Sequence, residues 1–326
     1  MSAKRRLVSG MRPTGRLHLG NWLGALKLWI NLQEEYETFY FVADWHALTT
    51  GYEDTSQLRE NRRQMVIDWL AAGLDPAQSV IFVQSDVKEH AELHLLLSMI
   101  TPLGWLERMP TYKEILRELE ARQISTYGFL GYPMLQAADI LIYRPYGVPV
   151  GEDQLPHVEF TREVARRFNH LYEPVFPEPE GLVSETPRVP GIDGRRMSKS
   201  FGNHIELASP PDVIRERVGQ MITDPARVRR TDPGHPEVCS VFALARIFRA
   251  TETDGIREDC EHARVGCVDC KAALAEAIIE ALRPFRQRRQ ELERDELIVE
   301  KILREGAERA RAEAAVTLRR VREAMR

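Results

Sequence analysis

A glycine-rich stretch near the N-terminus places a histidine in a turn suited to a phosphate. Residues 9–21 have the sequence SGMRPTGRLHLGN and lie between a short apolar run at 6–8 and an apolar-periodic run at 22–32. Glycine lets the backbone approach a phosphate closely, and a helix N-terminus favours an anion. His18 can donate a hydrogen bond to phosphate oxygens without acting as a nucleophile. The stretch therefore predicts an anion-binding turn between a strand and a helix.

This stretch differs from two common nucleotide-binding loops. Gly10, Gly15 and Gly20 are five residues apart, unlike the G-x-G-x-x-G fingerprint, and no Gly-Lys-Ser/Thr ends the stretch as in a P-loop. It resembles the first nucleotide-binding motif of class I aminoacyl-tRNA synthetases, P-x-G-x-x-H-x-G-N. The core at residues 18–21 alone is equally compatible with an ordinary strand–helix turn that carries a surface histidine, so a partner motif is needed.

A basic, serine-rich stretch supplies that partner. Residues 194–203 have the sequence GRRMSKSFGN and follow a Pro-rich segment. A mobile cationic loop suits a transition state in which charge builds on a phosphate leaving group, although such a loop alone is more often a surface turn. It resembles the second class I motif, KMSKS, at four of five positions, with Arg196 replacing the first lysine and changing its geometry. The two motifs in this order predict a class I enzyme.

A third region points to the amino acid. Residues 132–143, YPMLQAADILIY, predict an apolar helix with one acid, Asp139, and residues 148–159 have the sequence VPVGEDQLPHVE. A carboxylate among apolar neighbours either has a partner, such as a helix cap or the backbone, or stands ready for a ligand. Both stretches resemble bacterial tryptophanyl-tRNA synthetases, in which this acid accepts the indole N–H. The closest rival, tyrosyl-tRNA synthetase, needs polar groups for a phenol hydroxyl.

The resemblance covers essentially the whole chain and implies a role for each matching residue. It implies ATP contacts by Arg12, Pro13, Thr14, Gly20, Asn21, Gly151, Glu152, Asp153, Val189, Arg196, Met197, Ser198, Lys199 and Ser200. It implies catalytic charge stabilisation by His18, Lys113 and Lys199, aided by Mg²⁺. It implies a tryptophan pocket formed by His46, Tyr132, Gln136, Asp139, Val148, Val150 and Gln154, with Gln136 at a position that is Met in many relatives.

The implied reaction is that of a tryptophan–tRNA ligase. The tryptophan carboxylate attacks the α-phosphorus of ATP, which gives tryptophanyl-adenylate and pyrophosphate, and the acyl group then passes to the 3′ end of tRNA(Trp). The family also implies a homodimer. The alternative is a catalytically retired paralogue that binds tRNA or a protein partner. The joint presence of His18, Asp139 and Lys199 favours the enzyme.

The cysteines are clustered in the C-terminal half. Cys239, Cys260, Cys267 and Cys270 have the spacing C-x20-C-x6-C-x2-C and are the only cysteines of the chain. Clustered thiols in a reducing compartment indicate a metal, and their spacing alone leaves zinc and an iron–sulfur cluster open. A subset of tryptophanyl-tRNA synthetases carries a [4Fe-4S] cluster on C-x22-C-x6-C-x2-C. The resemblance therefore implies a [4Fe-4S] cluster, with Zn²⁺ as the alternative, beside the basic residues 227–230.

The elements that must position these residues follow from hydrophobic patterning. Residues 1–205 alternate short apolar runs with helical stretches, which predicts an α/β fold with a Rossmann-like parallel sheet. Residues 206–326 predict an all-α anticodon-binding domain. We expect strands at 6–8, 39–43, 80–83 and 148–151, helices at 57–73, 90–99 and 113–122, and a loop at 174–190.

Composition restricts the class of protein. The 326 residues are 43% hydrophobic and carry a net charge of −4, so the whole chain is not a general polyanion binder. Residues 283–326 contain 13 Lys and Arg against 9 Asp and Glu, a net charge of +4, which leaves −8 for the rest. This basic helical tail is compatible with a tRNA contact and equally with a solvated helix face. No apolar run has the length of a signal peptide or a membrane span, so we expect a cytoplasmic protein.

Overall fold

The computed structural model describes residues 4–109, 126–184, 189–295 and 297–326. The chain divides into two compact units, each with its own internal contacts. Unit 1 comprises Met1–Gly15, Leu28–Ser184 and Asp295–Arg326, and unit 2 comprises Arg16–Lys27 and Glu185–Arg294. This division departs from the predicted one at residue 205. The first motif is split between the units, and the C-terminal helix belongs with the N-terminal sheet.

A five-stranded parallel sheet forms the centre of unit 1. Its spatial order is β3-β2-β1-β4-β5, with β1 (Arg6–Met11), β2 (Glu37–Val42), β3 (Ser79–Val83), β4 (Gly147–Val150) and β5 (Glu180–Val183). The strand order reverses between β1 and β4, so a crevice opens where these two strands end. Residues 12–14 and 151–153 directly follow these two ends, as a nucleotide-binding α/β fold requires.

Both faces of the sheet are covered, which explains why its strands are continuous apolar runs. Phe39 in β2 faces one side, where its ring stacks on Tyr143 at a centroid distance of 4.7 Å. Tyr40 faces the other side, where it stacks on Trp29 at 4.5 Å, and Trp29 meets Trp69 edge-on. Successive side chains of a strand point to opposite faces, so one strand anchors helices on both sides.

The helices of unit 1 cover the sheet. Their bounds are Asp44–Gly51, Leu58–Ala72, Glu89–Ser98, Leu103–Glu107, Tyr127–Leu141, Leu155–Leu171 and Ile298–Ala324. A further helix, Lys27–Leu32, begins in unit 2 and continues into unit 1. Within the described residues, no helix is long and apolar enough to cross a membrane.

Most of the predicted elements are confirmed. The helix predicted at 57–73 spans Leu58–Ala72 and ends at Gly73, whose φ of 115° favours glycine. The predicted loop at 174–190 is wrong in part, because it contains β5. This strand pairs in parallel with β4, and a backbone partner in the tertiary structure outweighs its weak apolar pattern. The helix predicted at 113–122 lies outside the described residues.

The C-terminal helix, Ile298–Ala324, packs on the edge of the sheet at unusually close range. Gly306, Ala307, Ala310 and Ala314 form a buried row of small residues on this helix. A Cβ atom added at Gly306 would lie 1.8 Å from the backbone oxygen of Ile81 in β3. Small side chains therefore allow the helix backbone to approach the strand backbone, which is why this helix joins unit 1.

Alanine at Gly306 is expected to destabilise unit 1 by about 2 kcal/mol, because strand and helix must separate. This exceeds the ~1 kcal/mol that alanine contributes through helix propensity. Alanine at Gly104, in the helix Leu103–Glu107 of the same unit, is the control, since its Cβ would meet no atom within 4 Å. Urea unfolding measures both variants. Equal stabilities of the two variants would contradict the close packing.

Unit 2 contains the second predicted motif and a helical region. Its helices include Leu19–Asn21 and the π-helical turn Trp22–Leu26, followed later by Pro211–Gly219, Ser240–Phe248, Thr253–Glu261, Cys267–Ala281 and Arg283–Arg294. Beyond Pro211, none of the described residues belongs to a strand, as predicted. Ile214 and Val218 are buried together with Leu274 and Ile278 on the helix Cys267–Ala281, which gives this region its own core.

Candidate active site

A cavity of about 310 Å³ opens at the ends of β1 and β4 in unit 1. Its wall includes all the residues predicted to form the tryptophan pocket. These are His46, Tyr132, Gln136, Asp139, Val148, Val150 and Gln154. Phe41, Phe129 and Ile140 add apolar surface, and Arg12 lies at the same cavity. The structure thus brings together side chains from four separate stretches of the sequence.

Gly10 shows why this cavity can form beside the sheet. A Cβ atom at this position would lie 2.4 Å from the ring of Phe41, which lines the cavity. The ring therefore fits only against a residue without a side chain. Ser9, next to it in β1, donates a hydrogen bond through Oγ to the carbonyl of Pro149 in β4 at 2.8 Å, which holds the two strand ends in place.

Asp139 is the electrostatic centre of the cavity. Its carboxylate accepts hydrogen bonds from His46 Nε2 at 2.7 Å, from His90 Nδ1 at 2.6 Å, and from the Gln84 amide at 2.7 and 2.8 Å. Complete burial raises the pKa of Asp139, but the hydrogen bonds that it accepts from His46 and His90 outweigh burial and hold it below the ordinary value. The cavity therefore contains a buried carboxylate that stays ionised at neutral pH.

Gln84 and His90 are contacts of Asp139 that were not predicted from the sequence. Gln84 directly follows β3, and residues at the carboxyl ends of parallel strands commonly face a ligand, which is the signal that could have identified it. Its side-chain oxygen accepts from the backbone N–H of Trp45 at 3.1 Å, which fixes the amide so that its NH₂ faces Asp139. His90 lies on a helix whose apolar pattern indicated only a core position.

The remaining cavity residues form weaker polar contacts. The hydroxyl of Tyr132 lies 3.3 Å from His157 Nε2, and burial lowers the pKa of His157 to about 4. Gln136 Nε2 is 3.5 Å from Gln154 Oε1. The residue that departs from the family pattern therefore faces another predicted cavity residue, Gln154.

The residues predicted to contact adenosine lie at the end of β4. Gly151 precedes a short 3₁₀ turn, Glu152–Gln154. A Cβ atom at Gly151 would lie 2.7 Å from an Asp153 side-chain oxygen, so the glycine lets that carboxylate fold back. Glu152 and Asp153 are exposed. Carboxylates in this position are chemically able to accept hydrogen bonds from ribose hydroxyls.

Unit 2 brings the histidine of the first motif to the second motif. The backbone N–H of Leu19 donates to the carbonyl of Ile205, and that of Leu207 donates to Leu17. The pKa of His18 is lowered to about 3 by burial, by the cations Lys199 and Arg196 and by His204. These charges act on His18 across a short distance, so the two motifs form one cationic cluster.

His18 is held as a neutral hydrogen-bond donor. Its Nδ1 accepts from the backbone N–H of Asn21 at 3.3 Å, and Asn21 Oδ1 accepts from the backbone N–H of His18 at 3.2 Å. These reciprocal bonds cap the helix that begins at Leu19. Because Nδ1 accepts, the imidazole hydrogen resides on Nε2. Gly20 is close by, since its Cβ would lie 3.0 Å from the His18 ring.

The second motif is organised by Asn203, which was not predicted as a key residue. Asn203 Oδ1 accepts from the backbone N–H of Ser198 at 2.7 Å, and its Nδ2 donates to Asp193 at 2.7 Å and to the carbonyl of Arg196 at 3.1 Å. The hydroxyls of Ser198 and Ser200 are 2.8 Å apart. The loop therefore holds its hydroxyls and cations around one buried amide.

The buried parts of this loop tie it to the preceding segment. Met197 is buried, and its backbone N–H donates to the carbonyl of Val189 at 3.0 Å. Gly191 packs against Asn203, since its Cβ would lie 2.4 Å from the Asn203 side chain. His204, also absent from the predicted set, has its ring centroid 5.8 Å from that of His18. Lys113 lies outside the described residues.

The predicted cysteines converge on a second small cavity in unit 2. All four line this space of about 30 Å³, together with Arg227. The Arg227 guanidinium lies 3.8 Å from Cys260 Sγ and 3.9 Å from Cys267 Sγ. Burial and the neighbouring cysteines raise the pKa of Cys270 to about 11. Among the described residues, however, no group of three or more His, Cys, Asp or Glu side chains has the arrangement of a metal site. The predicted iron–sulfur or zinc site is thus not confirmed.

Comparisons with known proteins agree with this arrangement. Residues 2–283 match the protein family described as tRNA synthetases class I (W and Y). A tryptophan–tRNA ligase of Thermotoga maritima is 54% identical over 98% of both chains. This chain belongs to the class I tryptophanyl-tRNA synthetases. The ligase of Aquifex aeolicus is 45% identical over 98% of this chain and 99% of its own.

A solved tryptophanyl-tRNA synthetase extends the similarity to the fold. The Campylobacter jejuni enzyme, complexed with ADP and tryptophan, has a TM-score of 0.86 and 34% identity, and the match covers 98% of both chains. Agreement over the full length includes both units, so the fold class predicted from the sequence is confirmed. The five-stranded parallel sheet of this chain, with helices on both faces, is a Rossmann-like α/β arrangement.

The lowered pKa of His18 predicts an effect of pH on stability. The folded-state pKa of about 3 lies below the ordinary 6.5, so the unfolded chain binds the extra proton and stability falls as pH decreases from 6.5 towards 3. Between pH 6.5 and 5, the free energy of unfolding of the wild type should fall by about 2 kcal/mol more than that of His18→Asn, whose side chain does not titrate. Denaturant unfolding at both pH values measures this. If the difference in the free energy of unfolding between wild type and His18→Asn were the same at both pH values, the neutral state of His18 would be contradicted.

Proposed function

We propose that this chain activates tryptophan with ATP and transfers it to tRNA, as its tryptophan–tRNA ligase relatives are named to do. The observation that carries the proposal is the ionised, fully buried Asp139 at an otherwise largely apolar cavity. Indole has one N–H donor and no acceptor, so it needs an acceptor in an apolar slot. Asp139 supplies that acceptor, and the apolar wall excludes water around the ring.

The first step needs positioning and charge stabilisation and no side-chain nucleophile. The tryptophan carboxylate attacks the α-phosphorus of ATP, and pyrophosphate leaves with its Mg²⁺. In this proposal His18 donates from Nε2 to a phosphate oxygen, and Lys199 and Lys113 stabilise the charge that builds on the leaving group. The tRNA 3′-terminal hydroxyl then attacks the acyl carbon of the adenylate, the bond from that carbon to the phosphate oxygen breaks, and AMP leaves as the hydroxyl gives up its proton.

The other contacts with ATP are assigned by the same reasoning. The capped helix start, the second motif and the turn after β4 carry the predicted ATP residues. The roles proposed are phosphate contacts for Arg12, Pro13, Thr14, Gly20, Asn21, Arg196, Met197, Ser198 and Ser200, and adenosine contacts for Gly151, Glu152, Asp153 and Val189. The cationic character of unit 2 around His18 supports the phosphate assignment.

Tryptophan-dependent ATP–pyrophosphate exchange tests the proposal. The purified chain should exchange labelled pyrophosphate into ATP with tryptophan and not with tyrosine. A carboxylate pairs with the O–H of a phenol but leaves the phenol oxygen, which also accepts, without a donor, whereas indole is a donor only. Charging of tRNA(Trp) then tests the second step. A folded chain that binds tRNA without supporting exchange would instead be the catalytically retired paralogue.

We also propose that the four cysteines hold a [4Fe-4S] cluster, with Zn²⁺ as the alternative. The donor set supports the proposal, since four thiols and no carboxylate or histidine line the cavity. Arg227 places a cation beside two of the sulfurs, which suits thiolates. This arginine belongs to the basic stretch 227–230, so the site lies beside a surface suited to tRNA. The cluster's role would be structural or redox, and no step above uses it.

Metal analysis of anaerobically purified protein tests the cysteine site. The proposal predicts a coloured protein with iron and acid-labile sulfide in equal amounts, both lost on Cys260→Ala. A colourless protein with one zinc per chain would select the alternative. Wild-type protein with neither metal, still folded by circular dichroism, would reject both.

Three further assignments complete the proposal. The helices of residues 206–294 contact the anticodon of tRNA, which the basic helix Arg283–Arg294 supports. The functional form is a homodimer in the cytoplasm. Light scattering of the purified protein reports the dimer, and a monomer that charges tRNA fully would contradict it.

A further inference from the structure

Two buried residues outside the predicted set connect to the acid of the cavity. His90 Nδ1 lies 2.6 Å from Asp139 Oδ1, and His90 Nε2 lies 2.6 Å from the hydroxyl of Tyr143. All three side chains are fully buried. Neither His90 nor Tyr143 lines the cavity, so this chain of hydrogen bonds reaches the acid from the protein core.

We propose that His90 and Tyr143 are positioning residues for tryptophan selection, which hold Asp139 as an oriented carboxylate that accepts the indole N–H. The inference rests on the proposed function, because it requires that Asp139 binds the indole. It adds that the selectivity of this contact is set from outside the cavity, by residues that never touch the amino acid.

The direction of each hydrogen bond follows from the chemistry of the groups. An ionised carboxylate only accepts, so His90 Nδ1 carries the hydrogen of the contact with Asp139. Nε2 is then the acceptor for the hydroxyl of Tyr143. Burial and the charge of Asp139 raise the pKa of Tyr143 well above its ordinary value, so the hydroxyl keeps its proton. Tyr143 therefore selects the His90 tautomer whose N–H points at the acid.

The donors around Asp139 divide into a fixed set and an exchangeable one. Oδ1 accepts from His90 and Gln84, and Oδ2 accepts from Gln84 and His46. Gln84 and His90 are fully buried, whereas His46 lies at the cavity wall. A carboxylate offers about four lone-pair sites, and these contacts use them. An entering indole N–H thus replaces His46 as a donor to Oδ2, while the hydrogen bonds from Gln84 and His90 remain.

Aromatic packing keeps the fixed set from adapting to a different ligand. The ring of His90 packs against those of Phe41, at a centroid distance of 5.8 Å, and Phe82, at 6.0 Å. Tyr143 is stacked on Phe39 at 4.7 Å. Because these rings leave His90 and Tyr143 one arrangement, an amino acid that displaces His46 but lacks the N–H leaves Asp139 Oδ2 one donor short in a desolvated site. That penalty is the source of the selectivity.

The experiment compares tryptophan with its sulfur isostere, β-(3-benzothienyl)alanine, which keeps the ring shape and lacks the N–H. ATP–pyrophosphate exchange gives kcat and KM for each amino acid. We expect Tyr143→Phe to lower the ratio of the two kcat/KM values about tenfold, because Asp139 loses part of its orientation. The change should lie in KM for tryptophan, with kcat and the isostere little affected.

Matched variants separate this role from packing. Tyr40→Phe removes another fully buried hydroxyl, which donates to the Trp29 carbonyl at 3.3 Å on the opposite face of the sheet, and should leave the ratio unchanged. His90→Asn should have a ratio of kcat/KM values closer to wild type than His90→Leu, because the asparagine amide N–H can donate to Asp139 in place of Nδ1. Thermal unfolding of each variant shows whether it is folded.

The outcomes distinguish the inference from the function on which it rests. If Asp139→Asn leaves the ratio at the wild-type value, Asp139 does not read the indole, and both fail. If Asp139→Asn removes the preference for tryptophan over the isostere while Tyr143→Phe keeps that preference as Tyr40→Phe does, the inference alone is overturned. Equal losses for both amino acids in Tyr143→Phe and in both His90 variants would likewise show a purely structural role and overturn it.

Discussion

Alanine in place of Lys199 should slow tryptophan-dependent ATP–pyrophosphate exchange about 10²–10³-fold. Lys199 is half-buried in the loop held by Asn203, and its charge acts on His18 of the first motif. In the proposed mechanism this ammonium meets the negative charge that builds on the pyrophosphate as the bond to the α-phosphorus breaks. The effect should therefore lie in kcat, with a small change in KM for tryptophan.

A matched cation in the same unit provides the control. Lys271, on the helix Cys267–Ala281, is half-buried and donates to the carbonyl of Gly219. It is not among the charges that lower the pKa of His18. Lys271→Ala makes the same change in net charge and should leave exchange within about twofold of wild type, because screened charges act weakly at a distance. Equal exchange rates for Lys199→Ala and Lys271→Ala would show that Lys199 of the second motif does not stabilise the transition state.

Asparagine in place of Asp139 should lower kcat/KM for tryptophan about 10³-fold. The substitution keeps the shape of the side chain, removes its charge and replaces one of its two acceptor oxygens by an NH₂ donor. His46, His90 and Gln84 then share a single acceptor. Truncating one partner of a buried, hydrogen-bonded charge contact commonly costs about 2–5 kcal/mol of binding free energy, and a loss of about 10³-fold lies within this range. The indole also loses its acceptor, so the loss should be greater for tryptophan than for an analogue without the N–H.

A second buried acid controls for stability in this experiment. Asp68 lies fully buried on the helix Leu58–Ala72 and does not line the cavity. Asp68→Asn should lower the free energy of unfolding and leave the preference for tryptophan intact, measured by urea unfolding and by exchange kinetics. If Asp139→Asn were less stable yet kept its kcat/KM for tryptophan, the acid would have a structural role alone.

Local patterning was sufficient for the elements that carry the site. The strands at β1 to β4 are apolar runs because both faces of the sheet are buried, and such runs are visible in the sequence. Glycines at 15, 20 and 151 marked the turns that follow strands or begin a helix. The weak strand β5 was missed because its partner, the edge of β4, exists only after folding.

The amino-acid sequence by itself determined the family and the residues around the cavity, because the two motifs and Asp139 lie in contiguous stretches with characteristic spacing. Only the tertiary structure decided what surrounds Asp139. Gln84, His90 and Tyr143 come from separate elements, and no local spacing links residues that meet through packing. The same holds for the C-terminal helix, which joins the sheet through the contact of Gly306 with Ile81. Long-range contacts depend on shape complementarity between distant segments, a property that a linear pattern does not contain.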